Sequence, residues 1–274
     1  MSLRINNNVE AFNTHRQLVG SADKMAKSME RLSSGSRINR SADDAAGLAI
    51  SEGMRGQIKG LAQAQRNAQD GVSLVQTAEG ALNEVHSMLQ RVRELKVQFD
   101  NGTLATGDKA AIAAEAKQLT DEISDVKANT KFNNISLLAA GTISLQVGAN
   151  GSASEQIDVA TTDLTGGAMA AVLTGTATSS TSFATMTIDE VDAAITEVST
   201  QRASLGSVQN RLDHRIAGLA NYQENLISAE SRIRDVDMAQ EMVEFTKSQI
   251  LQQAGTSMLS QANQAPQSVL SLLR

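Results

Sequence analysis

Cysteine and tryptophan are absent from this 274-residue chain, and proline and aromatic residues are scarce. The lack of cysteine excludes disulfides, thiolate metal ligands and a cysteine nucleophile. Aromatic residues form 2% of the chain, although such side chains usually line ligand pockets and stack on nucleic-acid bases. The single proline, Pro266, leaves nearly the whole length free of helix breakers. We therefore expect a helical chain that is neither an enzyme nor a nucleic-acid binder.

Long apolar runs are also missing. The first twelve residues, MSLRINNNVEAF, lack the apolar stretch of a secretory signal peptide, and no segment approaches the length of a membrane-spanning helix. We expect no membrane partner, and any export is expected to use a route without a cleaved signal.

Metal-binding and catalytic motifs are not found in the sequence. His15, His86 and His214 are far apart, and none belongs to an HExxH motif. The segment 235–241 resembles a calcium loop only faintly, because the glycine that such a loop requires is missing. No P-loop, GxGxxG or GxSxG occurs. We predict no cofactor, no metal and no catalytic residue.

Charge is distributed unevenly over a formal total of −6. Residues 1–44 hold 7 basic and 5 acidic side chains, and residues 232–274 hold 4 of each. The segment between them therefore carries the acidic excess. Nearly neutral ends are suited to burial, whereas an acidic middle is suited to water, and the balance does not favour nucleic-acid binding.

Apolar residues recur at helical spacing along the first half of the chain. A first helix is predicted to end near Ser33–Gly35, and Ser41 with Asp44 resembles a capping box that starts a second. An apolar stripe from Met54 to Phe99 then steps by three or four residues, close to a heptad repeat. A third helix is expected over about 108–129.

The pattern then changes from helical to alternating. Apolar residues alternate over 143–147 and over 157–159, with a glycine-rich segment between them, which predicts a β-hairpin near 142–160. The polar Thr/Ser stretch near 174–187 is interpreted as an exposed loop.

A second long helical arm follows. Thr187 and Glu190 form another capping box, and an apolar stripe continues from Ile188 through Ala262 until Pro266. The two arms can pair antiparallel, so that each stripe buries the other. The predicted fold class is mainly α, with long antiparallel helical arms forming coiled-coil domains and a small β-hairpin region. An ordinary helical bundle is the alternative, although such bundles rarely need helices this long.

Seven sequence blocks resemble the signatures of bacterial flagellin, in the order of that family and at its distances from both ends. They are LSSGSRIN (32–39), SADDAAGLAISEGMRGQ (41–57), LQRVRELKVQ (89–98), KFNNISLL (131–138), RASLGSVQNRLDH (202–214), RIRDVDMAQE (232–241) and SQILQQAGTSMLSQANQAPQSVLSLL (248–273).

This resemblance implies a structural subunit of the helical flagellar filament, secreted and used for motility. It implies that residues 1–44 and 235–274 form a terminal coiled-coil domain lining the inner tube, and that residues 45–234 form a core rod domain. Large outer domains are absent from a chain this short. The expected polymerisation residues are the apolar side chains of the two ends: Ile5, Val9, Phe12, Val19, Met29, Leu32, Ile250, Leu251, Ala254, Met258, Leu259, Val269 and Leu270.

The resemblance also implies partners. These are other copies of the chain, an export chaperone, cap and hook-junction proteins, and the innate immune flagellin receptor of an animal host. The residues that match the receptor-recognition motif are Gln90, Arg91, Glu94, Leu95, Gln98 and Glu115. Lys96 stands where the family usually has a small residue.

Two rival identities remain open from the sequence. A hook–filament junction protein shares terminal helices, but the blocks at 89–98 and 202–214 favour flagellin. A cytoplasmic coiled-coil scaffold is more distant, because it would lack the symmetry between the two ends.

Overall fold

The computed structural model describes residues 8–161, 164, 166–176 and 180–272, and these residues are mainly helical. The elements follow in this order: α1 Val9–Ser34, α2 Ala45–Phe99, α3 Thr106–Asn129, β1 Lys131–Phe132, β2 Ile135–Ser136, β3 Gly141–Gln146, β4 Gln156–Thr161, α4 Gly167–Thr176, α5 Ser180–Thr185, α6 Ile188–Arg234 and α7 Met238–Leu272. The predicted fold class is confirmed.

The chain divides into two compact units. The terminal unit consists of Met1–Gly56 and Asn225–Arg274, and the middle unit consists of Gln57–Glu224. The domain boundaries expected from the resemblance, after residue 44 and before residue 235, stay a prediction.

In the terminal unit, α1 and α7 pair antiparallel. The side-chain amide of Asn8 donates to the Ala262 carbonyl at 2.8 Å, and Arg31 lies 3.6 Å from Glu241 near the other end of the pair. Asn8 also caps α1, because its side-chain oxygen accepts from the Ala11 amide at 3.0 Å. Gly35 ends α1 in the left-handed conformation at φ 71°, as predicted from its position.

The turn after α1 pairs with the turn before α7. The Arg37 amide donates to the Arg234 carbonyl at 2.6 Å, and the Val236 amide donates to the Gly35 carbonyl at 3.1 Å. These two bonds satisfy backbone groups that the helix ends leave free. The two turns therefore fix each other's position along the chain.

The middle unit is built on an antiparallel pairing of α2 with α6. The predicted stripe of α2 is buried: Leu82, Val85 and Leu89 are each fully covered, and Val198 and Leu212 of α6 belong to the same apolar cluster. At the surface, Arg93 donates to Asp192. The hydrogen bond from Arg93 lowers the pKa of the Asp192 carboxyl below its ordinary value.

The predicted β-hairpin is confirmed, and its register places Ile143 opposite Val159 and Leu145 opposite Ile157. The loop between its strands is closed by Glu155, whose carboxylate accepts from the Asn150 amide at 2.6 Å. The second strand pair, β1 and β2, turns through two asparagines with positive φ and was not predicted from the alternation.

The exposed loop predicted near 174–187 is wrong where the structure describes it. Residues up to Thr176 belong to α4, and Ser180–Thr185 form α5, while 177–179 lie outside the described residues. Phe183 and Met186 are buried in the middle-unit core. Two apolar side chains in a polar segment are enough to fix it against the core, which a compositional interpretation overlooks.

Three helix boundaries also differ from the prediction. Asp44, not Ser41, caps α2, because its carboxylate accepts from the Gly47 amide at 2.9 Å. The second arm is not continuous: Asp237 accepts from two backbone amides and starts α7 as a separate helix. That helix passes Pro266 and ends at Leu272, since one proline removes a single backbone bond without ending the helix around it.

Candidate assembly and recognition surfaces

The contact between α1 and α7 is a narrow seam with a heptad spacing. On α1 it contains Leu18, Met25 and Leu32, which are seven residues apart and half-buried. On α7 it contains Phe245 and Leu259, which are two heptads apart, as are Leu18 and Leu32 on α1. Much of the remainder is small or polar: Ser28 and Ser248 are nearly fully buried, and a Cβ placed on Gly255 would lie 3.2 Å from Leu18. Small side chains allow the two helices to approach closely.

The outer faces of the same helices carry large apolar side chains that nothing in the described chain covers. These side chains are between 46% and 72% exposed, and they are Val9, Phe12, Val19 and Met29 on α1, and Met238, Met242, Val243, Ile250, Leu251 and Met258 on α7. Phe12 and Val19 are seven residues apart, as are Val243 with Ile250 and Leu251 with Met258. Each helix therefore has a second apolar stripe in addition to its seam.

The expectation that the terminal stripes bury one another is wrong. Of the predicted polymerisation residues, only Leu32 and Leu259 are in the half-buried seam among the described side chains. Val9, Phe12, Val19, Met29, Ile250, Leu251, Ala254 and Met258 are exposed. Ile5 and the side chains of Val269 and Leu270 lie outside the described part of the chain. The contact between α1 and α7 is made by the seam residues instead, because each of these helices carries two apolar stripes and only one of them faces the other helix.

The outer face of α7 forms a shallow groove whose exposed lining is almost wholly apolar. Met242, Val243, Ile250 and Leu251 line it, with the stems of Thr246 and Lys247 at its edge. Contiguous apolar surface of this kind marks interaction sites on soluble proteins.

Ion pairs surround the paired turns at the base of these helices. Arg234 donates to Glu52 at 2.6 Å, and Arg40 donates to Glu30 at 2.9 Å. The Arg234 hydrogen bond lowers the pKa of Glu52, and a backbone hydrogen bond from Arg40 lowers the pKa of Asp43. These carboxylates are held in the charged form at neutral pH.

The second surface lies in the middle unit, where α2 and α3 run side by side. Gln90, Arg91, Glu94, Gln98 and Glu115 are all exposed. Arg91 donates to Glu115 at 2.8 Å and to Glu94 at 3.0 Å. The hydrogen bond to Glu115 contributes most to raising the pKa of the Arg91 guanidinium. The structure thus brings five of the six predicted recognition residues to one polar face.

The sixth residue, Leu95, does not belong to this face. Its side chain is 1% exposed and packs in the middle-unit core, so it is not presented to a partner. Lys96 is also buried, with its ammonium 2.6 Å from Asp100 and over the rings of Phe99 and Phe183. The lysine that departs from the family pattern therefore points into the core of this unit.

Sequence reasoning missed part of the exposed apolar face of α7. Met238, Met242 and Val243 extend the exposed stripe of α7 but were not predicted as polymerisation residues. The seven-residue interval between Val243 and Ile250 was a signal for one of them. The seven-residue interval of Leu18, Met25 and Leu32 was an equal signal for the seam, but the prediction followed the neighbouring stripe through Val19 and Met29.

Among the described residues, no cluster of three or more histidine or acidic side chains is arranged to hold a metal ion. In the same part of the chain, no helix combines the length and the apolar character needed to cross a bilayer. A cleft of about 700 Å³ lies beside the hairpin loop and is lined in part by Glu155, Arg211, His214 and Tyr222.

Comparison with known proteins gives matches over both arms. The profile of the bacterial flagellin N-terminal helical region matches residues 5–142, and that of the C-terminal helical region matches residues 188–273. The chain is 53% identical over 272 residues to flagellin of Halalkalibacterium halodurans, covering 98% of this chain and 99% of that one.

Two further relatives cover nearly the whole chain. Flagellin of Bacillus subtilis is 49% identical, covering 99% of this chain and 100% of the relative. The flagellar filament 33 kDa core protein of Treponema phagedenis is 45% identical, covering 98% of this chain and 99% of the relative. Among solved structures, Bacillus cereus flagellin is 32% identical with a TM-score of 0.48, covering 56% of this chain and 88% of that one.

Proposed function

Because this chain belongs to the bacterial flagellin family, we propose that its copies assemble into the extracellular helical filament of the flagellum and serve swimming motility. The observation that carries the proposal is the pair of uncovered apolar faces on α1 and α7. A structural role, without catalysis, agrees with the names of the relatives.

Open polymers form when a surface on one copy meets a different surface on the next and the rotation does not close. The outer faces of α1 and α7 supply two distinct apolar surfaces on the same unit. Burying one Val, Leu, Ile, Phe or Met side chain fully contributes roughly 1.5–3 kcal/mol. Ten such residues are between 46% and 72% exposed on the two faces, so the part of each that is still open can be buried between copies. That burial opposes the loss of rigid-body freedom on association.

The proposed roles of the two domains follow from their charge and from their exposed apolar surface. Residues 1–44 with 235–274 are the proposed terminal coiled-coil domain, which lines the inner tube of the filament. Residues 45–234 are the proposed core rod, which carries the acidic excess and faces outward. The absence of large outer domains gives a thin filament.

Leu251→Asp tests the assembly surface. A carboxylate on the outer face of α7 cannot be buried without a partner, so we expect seeded elongation to stop while circular dichroism of the monomer stays unchanged. Ser260→Asp is the matched control, since it adds the same charge at an exposed position of the same helix without removing an apolar side chain. Filaments of normal length from Leu251→Asp monomers would refute burial there.

Partners at the two ends of the filament follow from the family. We propose that an export chaperone, the filament cap and the hook-junction proteins bind this chain through its terminal helices. The rival identity as a junction protein is separated by self-assembly: only the filament subunit elongates seeds without limit when it is the sole protein added.

We further propose that an animal innate immune receptor for flagellin recognises the polar face of α2 and α3. Support comes from the shared exposure of Gln90, Arg91, Glu94, Gln98 and Glu115 and from the ion pairs that order Arg91. Leu95 acts in this proposal as a core residue that holds the face in shape.

A receptor reporter assay with purified monomers tests this recognition. Arg91→Ala is expected to reduce the response strongly, because it removes the guanidinium at the centre of the face. Arg66→Ala, at an exposed position of the same helix, is the control and should leave the response unchanged. A wild-type monomer that fails to activate the receptor at high concentration would exclude the proposal.

A further inference from the structure

Methionine is concentrated on the proposed assembly faces. Met29 on α1 and Met238, Met242 and Met258 on α7 are each about half exposed. We propose that these four methionines are an oxidation site, at which hydroperoxides convert the free subunit into a form that cannot join the filament. This proposal rests on the assembly surface proposed above.

The positions of the methionines give the site its selectivity. The exposed fractions of the four side chains lie between 49% and 58%, whereas Met169 and Met186 of the middle unit are 0% and 3% exposed. Thioether oxidation requires access of the oxidant to sulfur, so the rate follows exposure. Oxidation is therefore expected first at these four side chains, then at the half-buried Met25, Met54 and Met88, while Met169 and Met186 are spared.

The chemistry is a transfer of one oxygen atom. The thioether sulfur attacks the outer oxygen of the hydroperoxide, a sulfur–oxygen bond forms and the oxygen–oxygen bond breaks. The sulfur loses two electrons, and with hydrogen peroxide the proton on the transferred oxygen passes to the departing hydroxide, which leaves as water. No other co-reactant is needed, and no other bond of the protein changes.

The product alters the surface where assembly depends on it. A sulfoxide replaces an apolar side chain with a polar, chiral one that disrupts methionine-rich interfaces. Met242 lines the apolar groove of α7 together with Val243, Ile250 and Leu251. Met29 lines a second groove beside Phe245. Oxidised sulfur at these places must be desolvated when another copy covers it, and that step opposes addition.

The same geometry predicts protection after assembly. Once another copy covers these faces, the sulfur atoms are shielded from the oxidant. The free subunit is then the sensitive form and the filament is the resistant form. This contrast distinguishes an assembly-linked site from general surface damage.

The test treats purified full-length monomers with limiting hydrogen peroxide, removes the oxidant and measures elongation from untreated seeds. Peptide mass spectrometry locates the sulfoxides. We expect oxidation at Met29, Met238, Met242 and Met258 before Met169 and Met186, and a fall in elongation rate of about tenfold or more. Methionine sulfoxide reductases of both stereospecificities, supplied with a dithiol, should restore the rate.

A variant with leucine at all four positions is the matched control, because leucine keeps the apolar volume but has no sulfur. It should elongate without treatment and keep its rate after peroxide. Equal inhibition of this variant, or normal elongation of monomers oxidised at all four positions, would overturn the proposal. Untreated monomers that do not elongate seeds at all would instead contradict the assembly function itself.

Discussion

At the scale of single residues, Lys96 has the least expected environment. Its ammonium is buried, paired with Asp100 at 2.6 Å and placed 5.3 Å from the centre of the Phe99 ring and 5.7 Å from that of Phe183. The two rings meet edge to face at 5.1 Å. A buried ammonium needs these partners, because an unpaired charge in a core is strongly destabilising.

Asp100→Asn is expected to lower the free energy of unfolding by about 1–3 kcal/mol, since it leaves the Lys96 charge buried without its carboxylate. Lys96→Met keeps the unbranched chain against the two rings and should cost less than about 1 kcal/mol. The double variant should recover the loss caused by Asp100→Asn. Denaturant unfolding measures all three, and costs that simply add in the double variant would show that the pair does not matter.

The ion pair of Glu52 with Arg234 makes the terminal unit sensitive to acid. The hydrogen bond from Arg234 lowers the pKa of Glu52 in the folded chain below its ordinary value of 4.5. A lowered pKa gives stability that is present above pH 4.5 and is lost as the pH falls below it toward the folded-state value.

Glu52→Gln should therefore reduce stability at neutral pH but show a weaker loss on acidification. Thermal unfolding at a series of pH values from about 6 down to about 3 measures this difference. Glu84→Gln, at an exposed position of the same helix, serves as the control. A parallel pH dependence in wild type and Glu52→Gln would exclude the pair as a source of acid sensitivity.

At the scale of elements, α2 uses its glycines in two different ways. A Cβ on Gly60 would lie 3.0 Å from the Cβ and 3.3 Å from the Cα of Ala149 in the hairpin loop, whereas nothing lies within 4 Å of one on Gly80. Gly60 therefore allows a close approach of helix and loop, and Gly80 only weakens the helix.

Gly60→Ala should destabilise the middle unit by about 1 kcal/mol, because the Ala149 backbone cannot move away easily. Gly80→Ala should stabilise it by about 0.5–1 kcal/mol through helix propensity alone. Urea unfolding of the full-length variants gives both values. A gain from both substitutions would mean that the loop yields to the new methyl group.

A helix or strand could be predicted from the sequence when many of its residues repeat the same periodic pattern. The stripe of α2 and the alternation of β3 and β4 repeat often enough to identify both elements, and Thr187 with Glu190 caps α6 as predicted. By contrast, α5 has one buried aromatic residue, Phe183, in a polar segment, and its burial depends on distant residues. Local pattern does not contain that information.

The candidate surfaces were predictable only in part for a related reason. Periodicity identifies apolar stripes, but it does not show which stripe packs against another helix of the same chain and which stays exposed. On α1, Leu18 and Met25 lie in the seam, while Phe12 and Val19 stay exposed. Leu95 and Gln98 are neighbours in one sequence block, yet only Gln98 reaches the surface.

At the scale of the whole molecule, the two units differ in how much apolar surface each of them buries. The middle unit has an extended apolar core that joins α2, α3, the hairpin and α6. The terminal unit pairs two helices through a narrow seam and leaves larger apolar residues uncovered. A unit with this little internal burial gains most from contacts with other copies, which is the physical basis of the proposed assembly through the chain ends.

Electron cryo-microscopy of filaments grown from the full chain tests that claim most directly. The account predicts that Phe12, Ile250 and Met258 of each subunit lie within about 4 Å of apolar side chains from neighbouring copies. Filaments in which these three side chains face solvent, with the contacts between copies made by the middle unit alone, would contradict it.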